Sequence, residues 1–172
     1  MSIIRILLQI IIFKAKPSDV PFNINATTIA FACAWLIQLW SASLQPEFPN
    51  PVFFTFIQIV IYGAMISFFL KINKKQARIY QSLLAIFGTL TIISVFIFIS
   101  TNIGLTTLFI YFAIWRFSVQ VYILKHALET GFGQALFMII PIELTAIFAI
   151  SLFFPEHMKT FIEALQQAQN QS

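Results

Sequence analysis

Five apolar runs, each about the length of a membrane-crossing helix, follow one another through most of this chain: residues 26–44, 52–70, 79–99, 105–124 and 135–154. A helix needs roughly 20 apolar residues to span the hydrocarbon core of a bilayer. Lipid offers the backbone no hydrogen bonds, so such runs must satisfy their peptide groups within helices. A soluble fold fails on composition. Of 172 residues, 59% are hydrophobic and 9% are charged, against about 25% charged in ordinary soluble domains. The expected fold is an all-α, polytopic membrane bundle with five transmembrane helices and, as argued next, an N-terminal amphipathic helix.

The breaks between runs carry turn and boundary chemistry. Pro46, Pro49, Asn50 and Pro51 separate the first two spans, and Lys71, Asn73, Lys74, Lys75 and Arg78 the next two. Asn102 and Gly104 make a very short third connection, and Lys125, His126, Glu129, Gly131 and Gly133 the fourth. Pro155 and Glu156 end the fifth span. Residues 3–13 are too few to cross. Ser2, Arg5, Gln9 and Lys16 fall near one side at helical spacing, which predicts an uncleaved amphipathic helix over 1–16, lying in the membrane interface. Pro17 and Pro21 make residues 17–25 a connector, because neither tolerates a helix interior. The polar tail, 155–172, places Met158, Phe161, Ile162 and Leu165 on one side of a marginal helix.

Basic residues set the orientation. With the N-terminus inside, Arg5, Lys14, Lys16, Lys71, Lys74, Lys75, Arg78 and Lys125 fall on the cytoplasmic side, and only Lys159 on the other. That bias predicts N-in, C-out, which in a bacterium means the inner membrane with a periplasmic C-terminus. Lys71, Lys74, Lys75 and Arg78 form an inner basic loop suited to anionic headgroups. The net charge of +4 is scattered between apolar runs and is no nucleic-acid footprint. The partners expected are the lipid bilayer and a membrane protein or a second copy of the chain.

One residue stands against its surroundings. FIYFAIWRFSVQVYILKH carries Arg116 mid-span, and Glu143 is the only acidic residue within a run. Each lies eight residues from the inner end of its run, about 12 Å at 1.5 Å per residue. One cation and one anion thus share a depth on two helices joined as a hairpin. A lone charge there costs roughly 2.5–3.5 kcal/mol on insertion scales, so the spacing predicts a buried Arg116–Glu143 ion pair. Pro141 supports it by freeing the carbonyl of Phe137, within reach of Arg116 or of Gln120 one turn away. The pair is either a structural lock on helix register or a proton or ion relay.

Other polar residues read more plainly. Gln38 and Gln58 suit hydrogen bonds between spans, and Gly63 with Ser67 a close helix approach. His126, Glu129 and Lys125 suit an interfacial polar cluster, since a metal site needs more ligands. His157 is isolated in the tail, and Cys33 reads as a small core hydrophobe. No phosphate loop, catalytic triad, zinc motif or C-x-x-C occurs. No cofactor, metal or enzymatic activity is expected.

KAKPSDVPFN, RIYQSLLAIFGT and WRFSVQVYILKHALE resemble a small proteobacterial inner-membrane family of unassigned function. The five-span, N-inside plan is similar in topology to the Yip-type membrane family, whose DLYGP and GYxxxP signatures are absent here. This resemblance implies a scaffold or binding partner within the membrane. The leading expectation is a non-enzymatic scaffold, assembly or accessory subunit. The alternative is a transporter or proton-coupled subunit built on Arg116 and Glu143.

Overall fold

The computed structural model describes residues 2–44 and 50–153. Six α-helices account for most of them: α1 (Ile3–Ile11), α2 (Ile24–Ser43), α3 (Pro51–Ile72), α4 (Ile79–Asn102), α5 (Thr106–Leu128) and α6 (Phe132–Phe153). No strand occurs among the described residues. Four helices, α2 to α5, are long and apolar enough to cross a membrane. In α6 the apolar stretch described is shorter, Phe132–Thr145.

Local chemistry sets the helix ends. Asn23 caps α2 by accepting from Ala26 N at 2.9 Å, and Asn50 caps α3 by accepting from Phe53 N at 3.2 Å. Pro51 follows as the first residue of α3, where its missing N–H costs nothing. Gly104, at φ +72°, turns the chain sharply between α4 and α5. The helix α5 runs past the apolar run to include Lys125 and His126, since helix formation does not stop where apolarity does. It ends when Glu129 turns left-handed at φ 57°.

The long helices close into a ring. The second helix packs on α3 and α4, α4 on α5, α5 on α6, and α6 back on α3. Gly63 lets α3 approach α4, where a β-carbon would lie 3.0 Å from Phe87 Cζ, as its spacing with Ser67 suggests. Outside the ring, large apolar side chains such as Ile29, Ile114 and Phe137 are exposed, a surface of the kind that lipid covers. Cys33 is also exposed on this surface, not buried as its apolar context suggests.

The helix α1 rests on α4 and α5, burying Ile6, Leu7, Ile10 and Ile11. Its Ser2 and Arg5 face outward, as expected, but so do Ile4 and Leu8. Leu7 lies against Gly88. Past its end the chain reverses at Phe13, φ 59°. Side chains of the ring hold the reversal: Trp115 Nε1 donates to Ile11 O at 2.9 Å and Tyr122 Oη to Phe13 O at 3.3 Å. Farther on, Gln81 Nε2 donates to Val20 O at 2.9 Å. The tail helix and His157 lie outside the described residues, as do Pro46 and Pro49.

Candidate functional site

Four of the five helices of the ring send polar side chains to its centre. Gln38 of α2, Gln58 and Tyr62 of α3, Arg116 and Gln120 of α5, and Glu143 of α6 line one cavity of about 20 Å³, with Leu90 of α4. That is room for one buried water. Counted along the helices, these residues lie about 12–21 Å from the basic end of the bundle, close to the middle of each element.

Arg116, Gln120 and Glu143 line one chamber, but Arg116 and Glu143 are not among the ion pairs of the described residues. Among the described residues, the ion pairs are Lys75–Glu129 and Arg78–Glu129. Spacing along antiparallel helices fixes depth, whereas pairing also depends on rotation about each helix axis. Arg116 stands between this chamber and a second cavity, so its guanidinium is not committed to the carboxylate. Nor does Arg116 or Gln120 donate to the carbonyl of Phe137. Pro141 lies inside α6 but does not line the chamber.

The chamber is short of hydrogen bonds. Gln38 Oε1, Tyr62 Oη, Gln120 Oε1 and Glu143 Oε1 are buried polar atoms without a partner of acceptable geometry. The Tyr62 hydroxyl nonetheless lies close enough to Glu143 and Arg116 to feel both charges. Each unsatisfied buried group costs about 1–3 kcal/mol. One water held in the chamber would bond several of these atoms at once.

The second cavity is about 180 Å³ and shares Gln38, Gln58 and Arg116 with the chamber. It runs from Arg116 past Ser94 to Ser41 and Phe54, near the ends of α2 and α3 opposite the basic loop. Its wall is braced where Trp35 Nε1 donates to Thr55 Oγ1 at 3.2 Å, while Thr55 Oγ1 donates to Pro51 O at 2.8 Å. Gln38 and Gln58, which read as glue between helices, therefore line a cavity instead. Tyr62 and Ser94 escape sequence reasoning altogether. The signal that could find them is a polar residue near mid-depth in every span.

At the basic end, Lys75 and Arg78 turn inward. Both engage the Glu129 carboxylate, and Arg78 Nη1 also donates to the carbonyl of His126 at 3.3 Å. Lys71 and Lys74 remain exposed. Glu129 thus serves the α3–α4 connection, not a cluster with His126, whose ring meets Tyr122 at 4.5 Å. Among the described residues no three metal-ligating side chains gather. The chain matches no known protein family, no curated protein and no solved structure at a significant level.

Proposed function

We propose that this is an integral membrane protein whose central chamber exchanges a proton, acting as a transporter or a proton-coupled subunit. In this reading α2 to α6 form five spans in a bacterial inner membrane. The basic loop faces the cytoplasm and the C-terminus the other side, as the distribution of Lys and Arg favours. The observation that carries the function is the unpaired state of Arg116 and Glu143 in a chamber lined by orphaned polar atoms. A static lock would close the pair and satisfy those atoms. An open pair leaves Glu143 free to alternate between a carboxylate drawn toward Arg116 and a neutral acid that releases it. Charged side chains inside a membrane are costly, and they characteristically line ion pathways.

The same reading revises the setting of α1. Its end lies beside Ile92, Ile93, Phe96 and Trp115, about 20 Å along α4 and α5 from their basic ends. That depth favours a re-entrant segment over a helix lying flat in the interface. Irregular backbone survives at depth when protein groups satisfy it, which Trp115 and Tyr122 do for the reversal at Phe13.

The test is proton flux in vesicles reconstituted with the whole chain and loaded with a pH-sensitive dye. The chain should carry protons under an imposed membrane potential. Glu143→Gln should abolish the flux while leaving helicity and insertion intact. Vesicles without flux, or an unimpaired variant, would refute the proposal. A scaffold or assembly role is the second reading, favoured by Lys71 and Lys74, which stay exposed for a membrane-protein partner or anionic headgroups. It predicts a chain that co-purifies in gentle detergent and no flux. Neither reading includes an enzymatic step.

A further inference from the structure

We propose that the larger cavity binds a small monovalent anion on Arg116. Its polar wall consists of Gln38, Ser41, Gln58, Ser94 and Arg116, with Thr55. Among the described residues that line it, Arg116 is the only charged one and none is an acid. The Thr55 hydroxyl is already spent on Pro51 O and Trp35. The other five side chains make no hydrogen bond among the described residues, so their donors are free. A guanidinium offers five N–H groups, and none of those on Arg116 has a partner among the described residues. Behind it, Gln120 is only 3% exposed, and its Oε1 has no partner.

That donor set selects its ligand. A cation entering the cavity would meet the fixed charge of Arg116 in a low dielectric, where repulsion is strong. A neutral solute would bring the guanidinium no counter-charge on this side. An anion neutralises it and accepts from the neighbouring amides and hydroxyls. About 180 Å³ admits an ion of a few heavy atoms. The planar fork of arginine favours a carboxylate or nitrate over a sphere. Formate and nitrate are thus the natural probes. Binding also relieves Arg116 of its pull on Glu143, so the anion and a proton would move as a neutral pair. That coupling rests on the proton-exchange reading above, whereas the binding itself does not.

The experiment follows the thermal unfolding of the whole purified chain in a neutral detergent. Gluconate, too bulky for this cavity, is replaced by nitrate or formate at constant ionic strength. The midpoint should rise saturably with either small anion. Arg116→Gln should lose the dependence, and Arg116→Lys should weaken it while retaining some response. If Arg116→Gln does not fold, Ser94→Leu carries the test, because it fills the cavity without touching a charge and should also abolish the rise. A flat response in the native chain would overturn the proposal, as would an equal rise in the Arg116→Gln or Ser94→Leu chain, which marks a general salt effect. The two readings fail separately. Proton flux without an anion response removes the anion site and leaves the proton exchange. An anion response without flux does the reverse.

Discussion

At Gly88 the absence of a β-carbon sets how closely α1 approaches α4. A β-carbon there would lie 2.5 Å from Leu7 Cδ1, closer than non-bonded carbons tolerate. Gly88→Val should therefore cost about 1–3 kcal/mol, the usual range for overpacking, read as a lower unfolding midpoint in detergent. Leu7→Ala in the same chain should recover part of the loss. If it recovers none, Leu7 is not what the valine displaces. Neither partner stands out in the sequence, because Gly88 sits in an ordinary apolar run and Leu7 in another. Arg116 and Glu143 were legible for the opposite reason. A charge in an apolar run is conspicuous, and counting back from a hairpin gives its depth. Their rotation about the helix axes depends on packing across all five helices, which no local pattern encodes. That is why their shared depth could be read from the sequence and the open pair could not.

Helices themselves were the most legible part. Asn23, Asn50 and Pro51 mark two starts, and the apolar runs locate every long element to within a few residues. What connects the elements was less visible. Lys75, Arg78 and Glu129 meet across more than 50 residues of chain, fastening the α3–α4 connection to the end of α5. Hydrogen bonds from Lys75 and then Arg78 hold the Glu129 carboxyl below its ordinary value near 4.5. A carboxyl lowered on folding stabilises the fold above that ordinary value, and its contribution is lost as pH falls through the lowered one. Unfolding midpoints measured from pH 7 to pH 3 should therefore fall less steeply at the acid end in Glu129→Gln than in the native chain. The difference should shrink in high salt, because the carboxylate is exposed. Parallel acid limbs at low salt would show that the fastening contributes nothing to stability.

For the whole molecule, the proposed orientation rests on a few cations. Lys71 and Lys74 stand exposed at one end, whereas Lys75 and Arg78 divide their charge between solvent and Glu129. Neutralising Lys71, Lys74 and Lys75 together should therefore loosen the orientation, giving a mixed signal from reporters fused to the C-terminus. A uniform signal would mean that Arg5, Lys14, Lys16 and Lys125 suffice. The apolar exterior and the polar centre invert the arrangement of a soluble domain, and composition alone made that inversion readable. The chamber it encloses has one more consequence. Replacing buried ionic groups with well-packed apolar ones of similar volume often leaves a protein more stable, by about 1–4 kcal/mol. A ring with leucine or methionine at positions 116, 120 and 143 would thus be the sturdier object. The chain forgoes that sturdiness, and what it keeps in exchange is a hollow lined with polar side chains.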